Sequence, residues 1–137
     1  MNKTVAITLG KANIKLNKMA NNILAPYELT YTQFKVIRFL YRNPPFSVRQ
    51  VDIEDHFALT NPSVTGILKN LECKGLIERK INPDDERSKI IGLTQKAYGM
   101  QDELAMVRKQ LEELVTSVLT PEEQAQLIEL LCRIADL

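Results

Sequence analysis

Apolar residues fall at Val5, Leu9, Ala12, Leu16, Met19 and Ile23, in alternating steps of four and three. That spacing keeps one stripe on a helix that packs lengthwise against a neighbour. Ala25-Pro26 marks its end, since proline disfavours helical geometry in the preceding residue and has no backbone donor. Thr30 with Gln33 is a capping-box pair, and Phe34, Ile37, Leu40 and Tyr41 carry a second helical stripe up to the stop at Asn43-Pro44-Pro45. Phe46 to Val48 reads as a short strand. The next helix starts between Ser47 and Arg49, where Ser47 and Gln50 fit a capping box, and Val51, Ile53, Phe57 and Leu59 are its apolar anchors.

The chain is organised around Thr60 to Leu93. Thr60 or Asn61 caps a helix that tolerates Pro62 in its first turn, where backbone donors have no intrahelical partner. Val64, Ile67, Leu68 and Leu71 fix one face inward, so Asn61, Ser63, Thr65, Lys69 and Asn70 point out, and Gly75 ends the helix. Two brief strands follow, Leu76 to Ile81 and Lys89 to Leu93, around a polar tip of Asn82, Pro83, Asp84 and Asp85. A helix followed by such a hairpin is the shape of a winged helix-turn-helix. Thr94 then caps what reads as the longest helix, with Ala97, Met100, Leu104, Val107, Leu111, Leu114 and Val118 on one seam over about six turns. Thr120-Pro121-Glu122-Glu123 opens a last helix with Leu127, Leu130, Leu131 and Ile134 inward.

The predicted fold is therefore mostly α with a small β-wing. Long apolar seams at both ends exceed what one wing domain needs for its own core. A shared interface explains them, and isologous dimers are the commonest form. Residues 1–46 carry seven basic side chains against Glu28 alone, while residues 94–137 carry four basic and eight acidic ones, so the two ends attract when packed together.

Composition narrows the function. The 137 residues suit a single domain, and 45% hydrophobic content suffices for a core. A formal net charge of +1 gives no global signature of nucleic-acid or membrane binding, so any electrostatic footprint is local. Lysines at 3, 11, 15 and 18 break the N-terminal apolar positions, which leaves no signal peptide or membrane span there. Two cysteines and one histidine fit neither a disulfide framework nor a zinc site, and a reduced, cytoplasmic protein is the simplest expectation. No phosphate loop, metal spacing or nucleophile elbow is present, so no enzyme, cofactor or metal is expected.

Leu29-Thr30, the run from Asn61 to Leu71 leading into Glu72-Cys73-Lys74-Gly75-Leu76-Ile77, and Asp85-Glu86-Arg87-Ser88-Lys89 leading to Leu93-Thr94 together resemble the MarR family of winged-helix transcriptional regulators, over nearly the whole chain. The aspartate–arginine wing pattern running into Leu-Thr, at this distance from Lys-Gly-Leu-Ile, is the most specific part. The resemblance implies one domain over 1–137, with a winged-helix DNA-binding lobe at 30–93 and dimerisation helices at 1–29 and 94–137. It implies a homodimer on double-stranded DNA, a recognition helix in each major groove, a wing at each adjacent minor groove, and a small-molecule or oxidant effector of unknown identity.

Carried over by position, Asn61, Ser63, Thr65, Gly66, Lys69 and Asn70 meet bases and phosphates from the recognition helix. Arg87 and Lys89 do so from the wing, with Asp85 orienting Arg87. The chain departs from the family at Gly66, where arginine is frequent, and at Asn70, where another basic residue is. Residues 47–93 hold seven basic against eight acidic side chains, so few phosphate contacts and a shallow salt dependence are expected, with Lys35, Arg38 or Arg42 as helpers.

The plainer readings stand beside these. An outward polar helix face and a Pro-Asp-Asp turn are ordinary surface chemistry in isolation; the wing and its flanks favour function. Cys73 reads as a helix end rather than a redox sensor, Cys132 as a core or interface filler, and His56 as a surface or half-buried residue rather than a ligand. Tyr27, Tyr31, Phe34, Phe39 and Tyr41 are either plain core or the lining of an effector pocket. The leading function is a sequence-specific, dimeric repressor of a pseudo-palindromic operator, released by its effector. The alternative is a winged-helix protein-docking module or anti-regulator without specific DNA binding.

Overall fold

The computed structural model describes residues 3–136. Helix α1 spans Val5–Leu24 and ends in a short 3-10 turn, Ala25–Tyr27, at the predicted proline. Helix α2 spans Tyr31–Tyr41, and both halves of the Thr30–Gln33 capping box form. Asn21 Oδ1 accepts from the Tyr31 N–H at 2.8 Å, which ties the end of α1 to the start of α2. After α2 come β1 (Val48–Arg49), α3 (Gln50–Phe57), α4 (Asn61–Cys73), β2 (Ile77–Asn82), β3 (Asp85–Leu93), α5 (Gln95–Gly99), α6 (Gln101–Thr116) and α7 (Pro121–Ala135). The three strands form one antiparallel sheet in the order β1-β3-β2.

One core joins these elements. Val36 and Ile37 of α2, Ile53 of α3, Val64, Leu68 and Leu71 of α4, and Ile77 and Ile91 of the sheet are all almost wholly buried in it. Leu24, Ala97, Leu104 and Val107 belong to the same cluster, so α1, α5 and the first half of α6 are packed onto the winged-helix unit. Lys74 reaches across to accepting groups on Glu28 and Gln33, and the Thr94 hydroxyl donates to the Gly75 carbonyl at 2.6 Å. The Lys-Gly-Leu stretch is thus a structural clasp between helix, turn and sheet.

Five expectations are corrected. Helix α3 is not capped by Ser47, whose hydroxyl donates back to the Pro44 carbonyl. Its N-terminus is closed by Asp52, which accepts from the Arg49 N–H at 2.8 Å and pairs with the Arg49 guanidinium at 2.9 Å. That ion pair and its hydrogen bonds hold the Asp52 carboxyl below the usual range. Phe46 is also no strand residue: its φ of 56° is left-handed. Val51, expected as an anchor, is exposed on α3. The seam from Ala97 to Val118 is not one helix, because the chain makes a tighter turn at Met100, whose N–H donates to the Ala97 carbonyl three residues back, between α5 and α6, and α1 with 20 residues is the longest.

The fifth correction concerns the ends. Leu127, Leu130, Leu131 and Ile134 do not face a core; no residue of α7 is buried, and each of these four is 38–42% exposed. Val5 and Leu9 of α1, and Leu114 and Val118 near the end of α6, are uncovered as well. The capping box Thr120–Glu123 forms as predicted, so α7 is a well-started helix with an apolar face that no neighbour among the described residues covers.

Gly92 in β3 is buried under the Phe46 ring, and a Cβ there would overlap that ring. Lys80 Nζ lies 4.0 Å from the ring centroid, so glycine, ring and ammonium together brace the base of the hairpin. Gly92→Ala is expected to lower stability by about 1–3 kcal/mol, the usual cost of overpacking, as read from thermal unfolding. An unchanged melting curve would show that Phe46 is free to leave.

Candidate nucleic-acid interface

Helix α4 presents the polar face. Thr60 Oγ1 accepts from the Ser63 N–H at 3.3 Å, Pro62 occupies the first turn, and Val64, Leu68 and Leu71 anchor the underside at 0% exposure. The opposite face carries Asn61, Ser63, Thr65, Gly66, Lys69 and Asn70, all exposed as the sequence predicts. A Cβ added at Gly66 would meet nothing within 4 Å, so its small size serves no contact inside the chain.

Helix α3 packs against α4 and holds this face from the side. Gln50 Nε2 donates to Thr65 Oγ1 at 2.9 Å and to the Asn61 carbonyl at 3.4 Å. Asn61 Nδ2 donates to Glu54 Oε2 at 2.9 Å. Gln50 and Glu54 were not among the expected site residues. The signal for them was present: two polar residues four apart on α3, opposite Asn61 and Thr65, also four apart on α4.

The wing differs in detail from its sequence reading. Strand β3 begins at Asp85, so only Pro83 and Asp84 lie outside the strands. Ile81 pairs with Lys89 but Asn82 with Asp85, which leaves Glu86, Arg87 and Ser88 as a bulge on one strand. Side chains brace that bulge: Asn82 Oδ1 accepts from the Asp84 N–H and Asp85 Oδ1 from the Arg87 N–H, each at 3.0 Å, while Asn82 Nδ2 donates to Ser88 Oγ at 3.1 Å. Asp85 therefore positions the backbone of Arg87 and leaves its guanidinium unengaged.

The local charges sort into two groups. Arg49 is paired with Asp52 and Arg79 with Glu72, so these are spent within the chain. Lys69, Arg87 and Lys89 are exposed and, among the described residues, belong to no ion pair. Lys69 lies on α4 and Arg87 and Lys89 on the wing, while Lys80, exposed and likewise outside any ion pair, is turned to the Phe46 ring.

A second feature lies between α1, α2 and α6. Leu16, Phe34, Phe57, Leu111 and Val115 form an apolar floor to a cavity of about 330 Å³, and Tyr31 with Lys35, Arg38, Arg42, Arg108 and Glu112 form its polar wall. Burial, with Arg108 and Arg42 nearby, draws the Arg38 guanidinium below its ordinary range, while burial and Glu112 push the Tyr31 phenol up. Of the five clustered aromatics only Tyr31 and Phe34 line this cavity. Phe39 stacks on His56 at 4.4 Å, and Tyr41 donates to the Ala97 carbonyl, burial holding its phenol at about 12.

Cys73 and Cys132 are exposed and free, so Cys132 fills no core site within this chain. Among the described residues no cluster of His, Cys, Asp or Glu is placed to hold a metal, and no helix is long and apolar enough to cross a membrane.

Residues 29–89 match the family model described as MarR family. The chain is similar in structure to S. aureus MepR in a complex with DNA, with a TM-score of 0.91, 26% identity and 98% of each chain covered. Similarity to E. coli MarR in its apo form has a TM-score of 0.80 at 26% identity, again over 98% of each chain. A cysteine-substituted E. coli MarR complexed with operator DNA matches with a TM-score of 0.88 at 25% identity, covering 95% of this chain and 92% of that one. An exposed polar face on α4, a braced wing, uncovered helices at both ends and these likenesses agree on one conclusion: residues 29–89 are a MarR-family winged helix-turn-helix, in a chain with the fold of these transcriptional regulators.

Proposed function

We propose that two copies of this chain bind a pseudo-palindromic operator as a cytoplasmic repressor, with α4 of each copy in the major groove and each wing at the adjacent minor groove. The observations that carry this are the exposed polar face of α4 and, on the hairpin that follows it, the side-chain-braced bulge that presents Arg87. Residues 30–93 read the DNA, while 1–29 and 94–137 pair the copies through the uncovered seams of α1, α6 and α7. Two-fold symmetry then sets the half-sites about 34–36 Å apart, one helical turn.

The cavity between α1, α2 and α6 is the candidate effector site. Its apolar floor and four cationic side chains suit a small anionic, partly apolar molecule. It lies where the pairing helices meet the DNA-reading unit, so an occupant there bears on the spacing of the two recognition helices.

Selection of genomic fragments by the purified protein tests the reading. An enriched, two-fold related motif supports it, and no enrichment at any salt concentration sinks it. For the wing, Arg87→Ala is expected to weaken operator binding by about 1–3 kcal/mol if the guanidinium reads the groove. If it holds a phosphate, the loss is uniform across sequences and the salt slope falls by about 1. Unchanged affinity in an intact dimer removes Arg87 from the interface.

A further inference from the structure

The grip of α3 on Asn61 has a chemical direction. A carboxylate only accepts hydrogen bonds, so the 2.9 Å contact with Glu54 Oε2 requires the Asn61 amide nitrogen to face Glu54. One amide hydrogen is thereby committed. What Asn61 keeps for an outside partner is Oδ1, an acceptor, and a single remaining N–H. That pair matches adenine, which in the major groove donates from N6 and accepts at N7. It mismatches guanine, which offers two acceptors, O6 and N7, and would set an oxygen against Oδ1.

The surroundings point the same way. Asn61 is in the first turn of α4, the part of a recognition helix that reaches base edges. Helix α4 contains no arginine, the commonest reader of guanine. Gln50 fastens the same turn through the Asn61 carbonyl and the Thr65 hydroxyl, so the backbone that carries Asn61 is held as well as its amide.

We propose that Glu54 is a specificity-determining positioning residue, which by holding the Asn61 amide nitrogen sets that side chain to select adenine over guanine at one base pair of each half-site. This rests on the reading that α4 enters the major groove.

Selection from a randomised duplex pool, run with the wild-type protein and with Asn61→Ala, Glu54→Ala and Glu54→Gln, tests it. The wild type is expected to enrich adenine over guanine roughly tenfold or more at one position per half-site, and Asn61→Ala to lose that preference there and nowhere else. Both Glu54 variants are expected to reduce it to roughly threefold or less at the same position, because the amide is then free to turn over. Glu54→Gln keeps the size of the side chain, so its thermal unfolding should match the wild type while the base preference falls at that one position, which a merely structural loss would not produce. An enriched motif whose adenine preference survives in both Glu54 variants overturns this proposal alone, as does a loss spread evenly over all positions. No enriched motif with the wild type overturns it together with the reading on which it rests.

Discussion

Leu131→Glu is expected to convert the dimer to monomers and to weaken operator binding at least about a hundredfold. Leu131 lies at the middle of the α7 face, 38% exposed, with Leu127, Leu130 and Ile134 beside it. Covering such side chains contributes about 1.5–3 kcal/mol for each one fully buried. A carboxylate placed among them would have to be desolvated without a partner, and two-fold symmetry puts two copies in the same interface. The loss of affinity follows from linkage: with the half-sites joined, the second contact is intramolecular and strengthens binding by roughly 10²–10⁴-fold, which monomers forgo. Sedimentation read beside operator titration checks both parts. A dimer that persists with Leu131→Glu at micromolar concentration would mean that α7 is covered by something else.

Leu68→Ala is expected to cost about 2–5 kcal/mol of folding stability, the range for removing a buried leucine where neighbours relax only in part. Leu68 is 0% exposed on the underside of α4, between Val64 and Leu71 at the same burial, and the shared core reaches from α2 to the sheet. The readout is the midpoint of chemical denaturation at a fixed protomer concentration, because folding and pairing are linked in an obligate dimer. A shift below about 1 kcal/mol would show that the site collapses around the void. Since the same helix carries the recognition face on its other side, the variant should also lose operator affinity in proportion to the fraction unfolded.

Local signals were legible where the chemistry is local. Thr30–Gln33, Thr94 and Thr120–Glu123 each cap a helix as read, since a side chain three residues from a backbone donor needs nothing distant to form its bond. The Ser47 expectation failed for an equally local reason: the helix starts at Gln50 with Arg49 at its N-cap, where Asp52 receives the Arg49 N–H and Ser47 lies too far back to cap. The exposed set on α4 was readable from period alone, because burial of Val64, Leu68 and Leu71 fixes what is left outside. The bulge at Glu86–Ser88 was not, as register depends on which residue of β2 meets which of β3.

What the sequence by itself determined is the order and type of the elements other than the break between α5 and α6, the outward face of α4, the wing and the surplus apolar seams, all consequences of side-chain period and short-range caps. What only the tertiary structure decided is which polar groups meet. Gln50 and Glu54 reach Thr65 and Asn61 across 11 to 15 and 7 residues of chain because α3 packs beside α4, and the cavity walls come from α1, α2, α3 and α6. The physical reason is range: helical periodicity records the direction of a core, whereas a hydrogen bond between elements depends on the distance and angle at which two packed surfaces come to rest.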